Sequence, residues 1–563
     1  MRRRDLLTGL GLSAVALTSA RSLRAAGVQA SPDSDLSAVV TINGGKSLEY
    51  RAASGQDLGD FHGQNFVQRC IRVMRPDSPL TVFFRPDRTS DRVEVVFELG
   101  RIWGAANRAA ADLGAYRAEI KRGNETLAAI DVPKHWWFSR WRWQSSPRPV
   151  IATPEQLIGA KLLPPYSRQV GKMASAIDVG VIAYRGPMDN AGVVEYAPMT
   201  GERPDIGPVT ECQATYLTGN AAALTAVLAQ GEAAGSMPMH VRDEHTGAPV
   251  DFFQYPKISW YYVPQGDLWI KGPDSILDAK GVRTCPWSLS TSHDPALNYV
   301  PYLLTGDPYF LEELQFQGNQ LLGITNYNRG RLQVLIPGET RSFAWSIRTI
   351  FQLARVTPNV TPKWLKPRAY WKHILDDNHT FFTEIYVDSK ARSSTVFHAA
   401  TNLTSIAAWQ EDFLAFVLGW GVWMGFAEWR PAYLWKLQAT LARTNGKSGW
   451  PRQWCSPYYY QLGAKVPEVD NPANAPPNVW FGNWSEAWSA YKTRPDNHVP
   501  AKFSDDINWQ EPISGDYLIY TRGVLALATD LGVADAVEPF QFVDNMVRLK
   551  GYMTHRWAVD GSA

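Results

Sequence analysis

The strongest constraint on this chain is a change of hydrophobic period about a third of the way along it. Up to about residue 195 apolar residues tend to alternate singly. "RVEVVFEL" sets Val93, Val95, Phe97 and Leu99 on one face and Glu94 and Glu98 on the other, the pattern of a half-buried strand. Asn43-Gly44 in "VVTINGGKSLEY" and Gly123-Asn124 in "YRAEIKRGNETLAAIDV" read as hairpin turns. "SPLTVFFRP" and "AIDVGVIAYRG" add two expected strands. Beyond about 196 the step becomes three or four. Phe310, Leu314 and Leu321 make one stripe, Phe343, Ile347, Ile350 and Ala354 another, and Tyr520, Val524, Leu527 and Leu531 a third.

The predicted helices lie near 208–218, 221–234, 295–305, 308–324, 341–357, 365–385, 403–420, 429–443, 513–531 and 534–549. Short turns join them in pairs: "TGN" at 218–220, "TGDP" at 305–308 and "GVAD" at 532–535. Asn220 and Asp307 suit the N-cap of the second helix in a pair. "RPDIGPVTECQATYLTGN" and "SHDPALNYVPYLLTGD" share a plan, an Asp in a Pro-rich turn and then a helix ending in Thr-Gly. One amphipathic hairpin cannot bury its apolar face alone, whereas several stacked together can. The expected fold is therefore α+β and multidomain. A β-sandwich spans 31–195, and an (α/α) toroid of five or six helical hairpins spans 196–563. The alternative is an open helical solenoid. Residues 236–290 and 446–510, rich in Pro, Gly and aromatics, read as loops over one end.

Residues 1–30 read as a signal peptide of the twin-arginine type, with Arg3-Arg4-x-Leu-Leu before a short apolar stretch. That stretch is too short for a lasting membrane anchor. The expected location is periplasmic or secreted. Five Arg and one Asp lie in this leader, so without it the formal charge moves from +2 to −2. A nearly neutral chain argues against a nucleic-acid partner, which would call for a basic stripe. Cys70, Cys212, Cys285 and Cys455 form no CxxC and no Cys/His ligand spacing. They read as buried thiols, with any disulfide pairing left open.

The chain holds 23 Trp, 23 Tyr and 22 Phe. Flat rings stack on the apolar faces of sugars, so this richness in an exported chain points toward carbohydrate. The densest run is "HWWFSRWRWQSSPRP". It reads either as a sugar platform or as a seam against the next domain, with Arg140 and Arg142 over rings. The seam is preferred, because such patches are seldom left exposed.

Four polar turns fall near expected helix starts: "TGERPDIGP", "STSHDPALNY", "GETRSFAW" and "AAWQEDFL". With these turns and its paired helices, the stretch 196–563 resembles the (α/α)-toroid carbohydrate-active enzymes, both six-hairpin glycoside hydrolases and toroid polysaccharide lyases. The resemblance implies a site at one mouth of the ring, where inner helices begin. Several toroid glycosidases place a β-sandwich before the ring and many toroid lyases place β-domains after it. The order here implies hydrolysis, by analogy of fold.

Hydrolysis of a glycoside needs one protonated carboxyl and a second carboxylate. Glu202, Asp205, Asp294, Glu339, Glu411, Asp412 and Asp516 are available near helix starts. Helix capping and ion pairing compete for each of them. Adjacent carboxyls in an apolar, Trp-flanked helix need a partner or a raised pKa. The expected catalytic set is therefore Asp205 on one side of the mouth and Glu411 or Asp412 on the other. Expected substrate-binding residues are Arg203 and Arg341, for a carboxylate or hydroxyls, His293, Asp294 and Tyr299, and the stacking candidates Trp345, Trp409 and Trp480.

The expected activity is hydrolysis of a poly- or oligosaccharide by carboxylate acid/base catalysis, with no cofactor and no metal. A lyase acting on uronic acids is one alternative, for which His293, Asn298, Tyr299 and Arg341 have suitable chemistry. A non-catalytic glycan-binding or envelope protein is another. HExxH, Walker A, GxSxG and strand–helix GxGxxG motifs are absent from the sequence.

Overall fold

The computed structural model describes residues 33–43, 45–103, 113–195, 203–256, 285–325, 335, 340–388, 406–461, 463, 481–493, 517–551 and 553–561. The chain is α+β, with an N-terminal β-sheet region followed by a helical region. The strands are β1 (Leu36–Ile42), β2 (Ser47–Arg51), β3 (Gln56–His62), β4 (Val67–Met74), β5 (Thr81–Pro86), β6 (Val93–Glu98), β7 (Arg101–Trp103), β8 (Tyr116–Arg122), β9 (Glu125–Val132), β10 (Arg140–Gln144) and β11 (Val241–Asp243). One antiparallel sheet has the order β2-β1-β8-β9 and a second the order β10-β6-β5-β4-β3. β7 and β11 form a short parallel pair, joining the β region to the chain after residue 240.

Local chemistry accounts for the first sheet. Asn43, at φ 47°, closes the turn between β1 and β2, and Gly123, at φ 55°, the turn between β8 and β9. Ala38, Val40, Leu48, Tyr50, Ala118 and Ile120 turn inward by strict alternation. The Trp141 indole N–H on β10 donates to the Tyr116 hydroxyl on β8 at 2.7 Å, tying the two sheets together.

The second sheet departs from its alternating pattern. Glu94 and Glu98 are as fully buried as Val95 and Phe97. Their face lies against the helices, and charge pairs fill that seam. Arg85 Nη2 and Arg140 Nη1 donate to Glu312 Oε2 at 2.6 and 2.5 Å, and Arg242 Nη1 donates to Oε1 at 2.7 Å. Arg140 Nε also reaches Glu313 at 2.5 Å, and Arg242 makes two bonds to Glu98. Arg142 joins Glu94, Asp307 and Glu232, its guanidinium carbon 4.0 Å from the Tyr309 ring centre. Trp136, Trp137 and Trp141 are buried around it. The Trp-Arg run is a packed seam.

The helices are α1 (Pro154–Gly159), α2 (Arg168–Gly171), α3 (Glu211–Leu217), α4 (Leu224–Ala233), α5 (Tyr299–Thr305), α6 (Pro308–Thr325), α7 (Thr340–Val356), α8 (Arg368–Phe382), α9 (Ala408–Trp423), α10 (Arg430–Thr444), α11 (Trp484–Lys492), α12 (Leu518–Asp530) and α13 (Val537–Lys550). The shared phrase is one structural device used twice. Thr218 and Thr305 each donate a hydroxyl to the carbonyl four residues back, at 2.8 and 2.7 Å. Gly219 and Gly306 then take positive φ, which glycine adopts at no steric cost. Asn220 and Asp307 accept backbone N–H bonds from Ala222 and Tyr309, both at 3.1 Å.

Helix α7 packs on α6, α8 and α9, and α9 packs on α10 and α12. The 3-10 turn His555–Trp557 touches both α3 and α12. There Glu211 accepts from the Arg556 guanidinium and the His555 backbone N–H. The chain end thus returns to the start of the helical region.

Two expectations need correction. "AIDVGVIAYRG" forms no strand. Asp178 accepts from the Gly180 N–H at 3.0 Å and sets a 3-10 turn at Val179–Val181 instead. The expected loop at 446–510 contains α11, started by Asn483 accepting from Glu486 N–H. The four cysteines are buried, and none is joined in a disulfide. Among the described residues no helix is long and apolar enough to cross a membrane.

Candidate functional site

Two loops that precede helices come together. The loop before α3 carries Arg203 and Asp205, and the loop before α5 carries His293 and Asp294. Arg348 on α7 joins them, donating from Nη1 to the Gly207 carbonyl at 2.6 Å and from Nη2 to Asp294 Oδ2 at 3.0 Å. Arg203 Nη2 bonds the His293 carbonyl at 3.3 Å and pairs with Asp205 at 3.3 Å.

A narrow pocket opens at this junction. Its wall includes Glu195, Arg203, Ser290, His293, Asp294 and Gln320, and its free interior is about 10 Å³, room for about one water. Asp294 is deeply buried. Gln317 Nε2 lies 3.0 Å from both of its carboxylate oxygens. Burial pushes the Asp294 carboxyl up to about 7, against the pull of Arg348 and Gln317. The same burial brings Arg348 down to about 10. Glu195 is half-buried and also raised, by desolvation and by the charge of Asp189. Asp205 is raised by burial despite Arg203.

The other expected residues fall in different settings. Glu411 accepts from the Thr340 hydroxyl at 3.0 Å and is paired with Lys436. Asp412 accepts from Thr440 at 2.7 Å, Arg443 at 2.6 Å and Thr521 at 2.6 Å. Both carboxylates are buried between α9, α10 and their neighbours, and each is held by protein partners. Neither lines the pocket. Tyr299 is fully buried and donates to the Leu162 carbonyl at 2.8 Å. Asn298 is fully buried and donates to the Gly231 carbonyl at 2.9 Å. Trp345 is a core residue, 4.7 Å from the Phe413 ring. Neither Tyr299 nor Trp345 lines the pocket. Glu202, Glu339, Trp480 and Asp516 lie outside the described residues, as does the leader.

Arg341 and Trp409 stand together at the starts of α7 and α9, the guanidinium carbon 5.4 Å from the ring centre. Ser292 and Ser342 hydroxyls meet at 2.5 Å, linking this corner to His293. Burial lowers Arg203 from its ordinary value, and the nearby charge of Arg341 lowers it further.

Sequence reasoning did not single out Glu195, Gln317 or Arg348, which stand at this junction. Arg348 follows Arg341 by two helical turns, a spacing that puts both on one face of α7. Glu195 carries no comparable signal. Among the described residues no cluster of three or more His, Cys, Asp or Glu is arranged to hold a metal. Comparison with protein-family models, curated proteins and solved structures finds no match for this chain.

Proposed function

We propose that the protein is an exported carbohydrate-active enzyme that hydrolyses glycosidic bonds of a poly- or oligosaccharide, its β-sandwich seated on an (α/α) ring of helical hairpins. The ring reading draws support from the helix pairs, from the run of contacts α7–α9–α12, and from the return of His555–Trp557 to α3. The twin-arginine pattern supports export.

One observation carries the activity. A single pocket is lined by two carboxyls, Glu195 and Asp294, both raised above their ordinary range, beside a guanidinium and an imidazole. Groups perturbed in this way cluster at functional sites. Burial favours the protonated form of the Asp294 carboxyl, which suits a general acid that protonates a leaving oxygen. Glu195, less buried, serves as the base for the one water that the pocket admits. Arg203 and His293 bind hydroxyls or an acidic group on the sugar. Glu411 and Asp412 become structural, and Asp205 holds Arg203 in position.

Cleavage by β-elimination is the second reading. It is favoured by the two guanidiniums of Arg203 and Arg341, whose charges act on one another and suit a uronate carboxylate. Incubating the full chain with a panel of bacterial and plant glycans tests both. Products heavier by one water mean hydrolysis. Cleavage without that gain means elimination. Binding without cleavage supports a glycan-binding protein.

A further inference from the structure

The described part of the chain hides nearly all of its rings. Tyr458 and Tyr459 are the only Phe, Tyr or Trp side chains there that stand exposed, at 45% and 44%. They are adjacent in sequence and meet edge to face, with centres 4.5 Å apart at 82°. In a molecule that packs its other rings away, an exposed apolar pair marks a contact surface.

Their neighbours say what they contact. The Tyr458 ring lies 5.4 Å from Tyr517 and 6.0 Å from Trp409. Trp409 lies 5.7 Å from Tyr517 and sits under Arg341. Arg341 adjoins Ser342, which is bonded to Ser292 beside His293. A chain of contacts, through the buried Trp409 and Ser342, therefore connects the two tyrosines with the corner that holds the pocket. The pocket admits about one water, so most of the area that holds a substrate must lie outside it.

We infer that Tyr458 and Tyr459 form an outer subsite that stacks a sugar ring of a glycan whose bond is cleaved at the pocket. This rests on the proposed function. A pyranose has an apolar C–H face and hydroxyls around its edge. A tyrosine ring matches the face and its phenol tip matches the edge. Arg341, further along these contacts, supplies donors to hydroxyls or to an acidic substituent.

The test uses the full chain and Tyr458→Ala, Tyr459→Ala, the double variant and Tyr458→Phe. Cello-oligosaccharides and oligogalacturonates, from disaccharide to octasaccharide, serve as probes. Kd is read by calorimetry, and KM wherever a probe is cleaved. The double variant should lose about tenfold in affinity for long probes, about 1.4 kcal/mol. The loss should vanish for the disaccharide, and Tyr458→Phe, which keeps the stacking face and gives up only the phenol tip, should lose clearly less than Tyr458→Ala. A loss equal at every length, or none at any length, overturns the subsite. Wild-type binding without cleavage, with the length-dependent loss, keeps the subsite and removes hydrolysis. Normal cleavage with normal binding by the double variant does the reverse. A wild-type chain that binds no probe overturns both.

Discussion

Replacing Glu312 with Gln should loosen the joint between the β region and the helices. Glu312 receives three guanidiniums, those of Arg85, Arg140 and Arg242, at 2.5–2.7 Å, and all four side chains are fully buried. Their positive charges hold the Glu312 carboxyl far below its ordinary value even though burial opposes this. Breaking one buried ion pair by removing a partner costs about 3–5 kcal/mol. Glu312→Gln leaves three buried cations short of a charge and turns an amide donor toward guanidinium donors. We expect a loss of about 4 kcal/mol, at the upper part of what one substitution does. With a urea slope of about 3 kcal/mol per molar or somewhat more for a chain this long, the midpoint falls by roughly 1 M. The control is Arg69→Gln, which breaks half-exposed pairs with Asp33 and Asp57 and should cost under about 1 kcal/mol. Urea unfolding followed by tryptophan fluorescence gives both values. Equal losses in the two variants would refute the claim that the seam is a main stabilising feature.

Acid should act on the same seam. Burial would raise Asp307 and Glu313, but Arg142 and Arg140 respectively, as the strongest opposing charges, hold each at about 2. Depressed carboxyls stabilise the fold above their ordinary range and lose that contribution as pH falls through the folded value. Stability should therefore fall between about pH 4.5 and 2, and a flat profile there contradicts the assignment. Asp294 has the opposite sign. Its raised pKa stabilises the fold fully below its ordinary 3.8, and the contribution is lost as pH rises through about 7. As the acid it should also give an activity that declines above about pH 7, a limb that Asp294→Asn removes along with most of the turnover. Asp412→Asn should lower the unfolding free energy by about 3 kcal/mol or more, while the remaining folded protein turns over at a near wild-type rate. A hundredfold loss of kcat without loss of stability would return Asp412 to the catalytic set.

Much of the helical architecture was legible because each hairpin declares itself locally. The Thr-Gly-Asn and Thr-Gly-Asp turns carry their own caps, so α3 to α6 fall close to where periodicity puts them. α11 was legible too, since Asn483 and Glu486 hold capping spacing, but surrounding Pro and Gly obscured it. "AIDVGVIAYRG" has strand-like composition, yet Gly180 and the Asp178 side chain favour a turn, and local bonding wins. Glu94 and Glu98 looked solvent-facing because alternation cannot reveal their charged partners, Arg85 and Arg142 for Glu94 and Arg242, 144 residues away on β11, for Glu98. The ion pairs of Glu411 and Asp412 were hidden for a similar reason. Their cations, Lys436 and Arg443, lie 25 and 31 residues downstream on α10, and no spacing rule connects residues across a hairpin. Arg203, Asp205, His293 and Asp294 could be singled out from sequence because they sit in two Pro-rich turns, each before a helix. Glu195 has no such setting and needed the fold to bring it in.

The most direct measurement is product mass from a glycan panel digested by the full chain, by Glu195→Gln and by Asp294→Asn. We expect cleavage with the gain of one water by the wild type, and at least a hundredfold loss in each variant while its unfolding midpoint shows that it is folded. Cleavage that survives both substitutions would contradict the assignment of this pocket, as would the absence of any product from the wild type.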